Sequence, residues 1–335
     1  MDASSRTLLT PCRAAVFALL CAASLAAPRV AAQTAASSFP ERAVRIIVPF
    51  PAGGANDIVA RAAAERMSAA WKQPVIIENV AGATGAIGAA QAARAPRDGY
   101  TLVTGVGTTT AILKALKPNL AFDPIGDFAP VSLLTTFPNI LVVRGDFPAA
   151  NVGELIAVLR ANPGKFTYAS SGYGGSLHLA AELFKLTTGT DIVHVPYTGS
   201  APAITALLGG HVDLVFDTMP SIWPSVQSGK LKALGVASRQ RTPAAPDLPA
   251  VAESLPGFDV TSWEGILTPA GTPAVVVSKI ADEIKRIVAE PEFAASLLKV
   301  GAVATSSAPQ EFAAFIDADY AKWQRVVKEA GIKPQ

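Results

Sequence analysis

Five short stretches of this sequence place glycine or small polar residues directly after a hydrophobic run, and none of the five contains a lysine or an arginine. The first is Pro49-Phe50-Pro51-Ala52-Gly53-Gly54-Ala55-Asn56-Asp57. Its glycines let the backbone come close to a ligand, and the helix that follows offers unpaired N–H groups in its first turn, where an anion is favoured. Asn56 adds a side-chain donor. Asp57 suits the fastening of its own helix start, because a carboxylate would repel an anionic ligand. The second stretch, Ser170-Ser171-Gly172-Tyr173-Gly174-Gly175-Ser176-Leu177-His178, carries three serines, three glycines and one tyrosine. Such a loop surrounds a carboxylate with neutral donors and needs no cation. His178 falls in the first helical turn, where a bond to the ligand and a supporting bond to the loop are both open. The third is His194-Val195-Pro196-Tyr197-Thr198-Gly199-Ser200, the fourth Phe216-Asp217-Thr218-Met219-Pro220, and the fifth Gly105-Val106-Gly107-Thr108-Thr109-Thr110. Asp217 stands at the carboxyl end of a strand, where open α/β sheets take ligands. It would accept from an amino or hydroxyl group, hold a bridging water or fix a neighbouring loop. One loop of this kind says little; five at strand ends describe a cleft.

The motifs of enzymes are missing. Gly105-Val106-Gly107 stops at Thr110 and Gly82, Gly85 and Gly88 have the wrong spacing for a dinucleotide fingerprint, and there is no phosphate loop of the G-x-x-x-x-G-K-[ST] type. There is no G-x-S-x-G elbow. His178, His194 and His211 fit no zinc-ligand spacing. A Ser/His/Asp arrangement of Ser171 or Ser176, His178 or His194, and Asp217 stays open at this level, although each of these residues also has a routine capping or binding role. The expectation is a binding protein and not an enzyme, with no cofactor and no metal.

The elements that must position these loops are legible from periodicity. Short β-branched runs predict strands over 44–48, 75–78, 101–105, 140–144, 166–169, 192–195, 212–216 and 231–237. Helices are predicted over 56–71, 152–161, 177–187 and 201–208, the first with a stripe of Val59, Ala63, Met67, Ala70 and Trp71. Alternation of strand and helix at this spacing implies mostly parallel sheets with helices on both faces. Near the carboxyl end, Thr272-Pro273 predicts a helix start, and Ser307-Ala308-Pro309-Gln310 predicts a capping box. That box opens a last helix whose stripe is Phe312, Phe315, Ile316, Trp323, Val326 and Val327. No repeat or low-complexity linker separates the halves, which suits two lobes joined by crossing strands.

The amino terminus has a different character. Arg6 and Arg13 precede or flank an apolar run over 14–27, and Val30-Ala31-Ala32 supplies the small residues a signal peptidase reads, so residues 1–32 are expected to be a signal peptide cleaved near Ala32. Cys12 and Cys21, the two cysteines of the chain, fall inside it, leaving a mature protein without thiol chemistry. Its removal leaves 25 basic and 25 acidic residues with no basic block. Nucleic acid and anionic membrane surfaces are therefore poor partners.

An ordered series of segments resembles one known family. It runs from Ile46-Ile47-Val48-Pro49-Phe50-Pro51-Ala52-Gly53-Gly54 with Asp57, through Val75-Ile76-Ile77-Glu78-Asn79 with Gly82 and Gly85, and Asp98-Gly99-Tyr100-Thr101-Leu102. It continues with Tyr168-Ala169-Ser170-Ser171-Gly172, His178-Leu179, His194-Val195-Pro196-Tyr197 and Pro269-Ala270-Gly271-Thr272-Pro273. The chain is similar to the substrate-binding receptors of tripartite tricarboxylate transporters, the Bug-type periplasmic proteins. The resemblance implies an α/β periplasmic-binding-protein fold, a Venus flytrap of two α/β lobes with crossover strands near residues 133–141 and 259–268. The first lobe would be 33–138 with 260–335 and the second 139–259. It further implies a periplasmic monomer that holds a small carboxylate in the cleft and delivers it to membrane transporter subunits. The ligand role passes to Ala52, Gly53, Gly54 and Asn56 on the first lobe, and to Ser170, Ser171, Gly172, Gly175, Ser176, Tyr197 and Asp217 on the second. Asn56 replaces the Ser or Thr of many relatives and Tyr173 adds bulk, so the ligand does not carry over. Trp263 is expected either to line the cleft or to pack at the crossover. A sensory receptor would use the same cleft, and a secreted hydrolase is a distant third reading.

Overall fold

The computed structural model describes residues 38–117 and 119–332. The expected signal peptide, with Cys12 and Cys21, lies outside the described residues. The chain divides into two compact units, residues 1–41 and 42–335; of the first, residues 38–41 are described, with a cis peptide bond between Phe39 and Pro40.

In the second unit, the parallel strands β1 (Val44–Val48), β2 (Val75–Asn79) and β3 (Thr101–Val106) pair around β1. Ile46, Ile47 and Val48 have 0% exposure, as expected of a parallel strand covered on both faces. Helix α1 (Ala55–Trp71) connects β1 to β2, and α2 (Ala86–Ala93) connects β2 to β3. On α1 the buried residues include Val59, Ala63 and Met67, with Ala60 and Ala64 beside them, whereas Ala70 is exposed and Trp71 half-buried. The stripe thus turns towards its alanines, whose small side chains let the helix lie close to the sheet. After β3 a wide turn over Thr108–Ile112 leads into the short helix α3 (Leu113–Leu116).

Strand β4 (Phe128–Arg144) is far longer than the predicted 140–144. Pro130 and Pro138 read as breaks because proline cannot donate to a ladder. The pairing with β9 (Thr261–Pro269) absorbs this through register shifts between Pro130 and Ser132 and between Leu133 and Thr135. The first half of β4 pairs with β9, and β9 pairs in turn with β3. The second half pairs with β7 (Leu214–Thr218) and β8 (Leu231–Val236). β7 continues to β5 (Thr167–Ser170) and β6 (Val193–Pro196), all parallel. The result is two α/β lobes with β4 and β9 as the crossings. At the second crossing, Val260 N–H donates to Ala237 O and Ala237 N–H to Asn139 O, both at 2.7 Å.

The second lobe carries α4 (Val152–Ala161), α5 (Ser176–Thr188), α6 (Ser200–Leu208), α7 (Met219–Gln227) and the short α8 (Val251–Ser254). The chain ends in α9 (Ala274–Val288), α10 (Pro291–Lys299) and α11 (Pro309–Glu329), with the two-residue β10 (Val303–Ala304) on β4. The cap of α11 is shifted by one residue from its expected place. Ala308 N–H donates to Glu311 Oε2 at 2.9 Å, while Ser307 exchanges bonds with Ser132 and Leu133 of β4. Phe315, expected in the buried stripe, is 36% exposed. Trp263 belongs to the core: it is 2% exposed, meets Phe312 edge-on, and donates from Nε1 to Asp319 at 2.9 Å. Among the described residues no helix is long and apolar enough to cross a membrane.

Candidate ligand-binding site

The first loop runs from the end of β1 into α1. Gly53 has φ +81°, which a side chain would strain, and the N-cap Gly54 (φ −76°, ψ 167°) makes no side-chain cap bond. The loop is held from below by Asp57, which is 3% exposed. Its carboxylate accepts from Gly53 N–H at 2.8 Å, Arg61 Nε at 2.9 Å and Asn79 Nδ2 at 2.9 Å. Asn79, at the end of β2, also donates to Phe50 O at 3.1 Å. Burial alone would push the Asp57 carboxyl up, but the bonds from Arg61, Gly53 and Asn79 and the charge of Arg61 outweigh it and hold the pKa below the ordinary value. Asp57 thus stays ionised and fastens the loop, leaving the first-turn N–H groups of α1 without a side-chain cap.

The second loop repeats this design on the other lobe. Its N-cap, Gly175, has almost the same backbone angles (φ −76°, ψ 164°) and again no side-chain cap. Gly172 and Gly174 take positive φ of +134° and +74°. The support here is two imidazoles. His178 is 3% exposed and accepts from Gly174 N–H through Nδ1 at 3.1 Å. His194 Nε2 lies 2.6 Å from Ser170 Oγ, which also donates to Gly172 O at 3.1 Å. The two rings stack at 4.1 Å between centroids, with Tyr168 against His194 and Tyr173 against His178. Burial lowers the pKa of both, and the neighbouring His194 takes His178 down to about 4. Neutral imidazole is what a Nδ1 acceptor requires.

The third helix start, at α6, also has a glycine N-cap, Gly199, and no side-chain cap. Ser200 donates to Asp217 Oδ1 at 2.9 Å, and Thr218 N–H donates to the same oxygen at 2.7 Å. The other oxygen, Oδ2, is buried and has no partner among the described residues. Burial raises the Asp217 pKa to about 7 against the lowering effect of Ser200 and Thr218. A second buried carboxyl, Glu264 on β9, has neither oxygen partnered among the described residues and is raised by burial and by the charge of Asp57.

Of the residues singled out in the sequence, Ala52, Gly53 and Gly54 are exposed and Asn56, Ser171, Gly172, Ser176 and Tyr197 are half-buried. Gly175 is buried, and Ser170 and Asp217 have 0% exposure. The lobes meet where Thr108 Oγ1 and Ser176 Oγ lie 3.4 Å apart. Thr109, next to Thr108, would touch a side chain at Gly85, which also neighbours Pro49 and Phe50. The first-lobe loops and the start of α5 are therefore adjacent. Tyr197 N–H donates to Ser170 O at 3.0 Å, joining the third loop to the second. Thr109 and Thr110 of the fifth loop are buried and bond back to Val106, leaving Thr108 to face the other lobe. No hydrolytic triad is assembled: Asp217 bonds to Ser200 and Thr218, and no histidine pairs with it among the described residues.

Residues 59–332 match the profile described as Tripartite tricarboxylate transporter family receptor. The chain belongs to this receptor family. It is 36% identical over 294 residues to the UPF0065 protein in the tcbD-tcbE intergenic region of Pseudomonas sp. (strain P51), covering 87% of each chain. Among solved structures it is similar to R. palustris Rpa4515 with adipate, at TM-score 0.82 and 34% identity over 89% of this chain and 100% of that one. It is also similar to MatC from Rhodopseudomonas palustris with bound malate, at TM-score 0.77 and 34% identity over 86% of this chain and 100% of that one. The chain is thus a periplasmic-type solute-binding protein with the two-lobed fold that its sequence implied. What sequence reasoning missed in this receptor are the supports: Arg61 and Asn79 under the first loop, and the His178–His194 stack under the second. Asn79 ends a parallel strand, which was a usable signal. The pairing of residues 178 and 194 across two elements had none.

Proposed function

We propose that the receptor captures a small carboxylate between its lobes, in the exported form beginning at Gln33, and delivers it to membrane transporter subunits. The observation that carries this is the pair of glycine-started helices, α1 and α5, one from each lobe, with matching N-cap angles and no side-chain cap. Uncapped first turns attract an anion, and the loops around them add hydroxyls and amides without a lysine or arginine. Ala52, Gly53, Gly54 and Asn56 on one side, with Ser171, Gly172, Gly175, Ser176 and Tyr197 on the other, form the inner surface of this reading. Ser170 and Asp217 stand behind it. The lobes of this reading are 33–138 with 260–335, and 139–259, so that closure is a rotation about β4 and β9. Bound adipate and malate in two relatives support the ligand class.

The test is a thermal-shift screen of residues 33–335 against carboxylates that include adipate and malate. A ligand at about 100 times its dissociation constant adds roughly 2.7 kcal/mol of stability and raises the melting temperature. A panel without a single shift, repeated after refolding to strip carried-over ligand, would reject the reading. Loss of uptake of the same compound on gene deletion would tie the receptor to transport, and unchanged uptake would detach it.

A further inference from the structure

Beside the Thr108–Ser176 contact a small cavity opens between the lobes. The apolar part of its first-lobe wall is Ile112, at the end of the turn after β3, with Leu113 and Leu116 of α3, and its second-lobe wall is Tyr173 with Gly174. Tyr173 is 40% exposed, and its ring lies 4.9 Å from that of His178 between centroids. Lys117 also lines the cavity. It is half-buried, and its side-chain ammonium has no hydrogen-bond or ion-pair partner among the described residues, whereas Lys114, one turn earlier, is paired with Asp123 at 2.7 Å. Thr84 completes the lining from a turn in which Gly82, Ala83, Thr84 and Gly85 all have positive φ. For Ala83 (φ +48°) and Thr84 (φ +57°) this is an unfavourable conformation, of the kind found where a structure holds a loop against a ligand.

We propose that this cavity is the far end of the ligand site, and that the ligand is a dicarboxylate whose two acidic groups are separated by an apolar chain or ring. The assignment rests on the carboxylate reading above. One carboxylate sits at the glycine-started helices. The apolar body lies against Leu116, Ile112 and Tyr173, and the second carboxylate meets the ammonium of Lys117, which has no partner among the described residues. The chemistry of the lining selects this class. An apolar monoacid leaves Lys117 unpaired, and a short hydroxylated diacid sets a hydroxyl against aliphatic side chains. As described, the cavity has a volume of about 30 Å³, room for two or three waters. Leu116 lies against Gly174 across the lobe boundary, so rotation at the crossings sets the room for a chain.

Calorimetric titration of residues 33–335 with adipate, hexanoate and malate tests the assignment. Adipate is expected to bind at least tenfold more tightly than hexanoate and more tightly than malate. Lys117→Gln should bring the adipate-to-hexanoate ratio close to one, and Lys117→Arg should restore it. Equal binding of adipate and hexanoate, or a ratio that Lys117→Gln leaves in place, overturns the far end. Binding of malate alone overturns it while leaving the receptor reading intact. Silence towards the whole carboxylate panel rejects the receptor reading itself, and this assignment with it.

Discussion

His178 and His194 lie face to face, and each holds one part of the loop that opens α5: Gly174 through Nδ1, and Ser170 through Nε2. The loop is glycine-rich and has little stiffness of its own, so its shape depends on these two bonds. An asparagine at position 178 places its carbonyl oxygen near the former Nδ1, whereas a glutamine carries its oxygen one bond further. Carboxylate affinity should therefore survive Asn within a fewfold and fall at least tenfold in His178→Gln. Protonation of His178 removes the acceptor for Gly174 N–H. Wild-type affinity should accordingly weaken as pH falls towards about 4, and His178→Asn should lack that component. Titrations at several pH values for the three proteins measure both effects. Identical affinities for Asn and Gln would reduce the imidazole to filler.

At the scale of elements, the binding surface consists of helix beginnings left open. A glycine N-cap is worth less to a helix than Asp, Asn or Ser, and the difference is a few tenths of a kcal/mol. Gly54 has angles any residue can adopt, and an added Cβ would meet only Pro51 O at an ordinary 3.6 Å. Gly54→Asp should then fold with a stability within about 0.5 kcal/mol of wild type, because the capping gain is offset by repulsion from Asp57. Its carboxylate occupies the first turn of α1 and should cost at least tenfold in ligand affinity. A melting curve and a titration on the same sample separate the two effects. Undiminished affinity would move the anion away from α1.

The whole molecule responds to pH through buried groups that pull in opposite directions. His178 has a folded pKa below its unfolded value, so the folded state is favoured above the ordinary histidine range and loses that advantage as pH falls from about 6.5 to about 4. Asp217 has a folded pKa raised to about 7, so its contribution is present below the ordinary aspartate value and is lost as pH rises through 7. Asn in place of Asp217 keeps an acceptor for Ser200 and Thr218 and never ionises. Asp217→Asn should be more stable than wild type at pH 8, by a few kcal/mol at most, with the gain vanishing near pH 4. Melting temperatures of both proteins from pH 4 to 8 give the comparison, and a pH-independent difference would contradict the buried, raised carboxyl.

The sequence by itself determined the local order of this receptor. Strands β1 to β3 and β5 to β8 and helices α1, α4, α5 and α6 followed from periodicity, because β-branched runs such as VRIIV are buried on both faces, whereas α2, α7 and α10 were not foreseen. The loops were legible because glycine, proline and hydroxyl residues cluster where these strands hand over to helices. Other features were decided by tertiary structure. The length of β4 is one, since Pro130 and Pro138 signal breaks locally and only pairing with β9 carries the strand through them. The roles of His178, Asn79 and Trp263 are others. Each is fixed by a partner 4 to 56 residues away in the chain, and a hydrogen bond or ring contact depends on distance in space, which periodicity does not encode. The cavity beside Lys117 is of the same kind, because its two walls belong to different lobes and exist as a site only where the crossings at β4 and β9 bring them together.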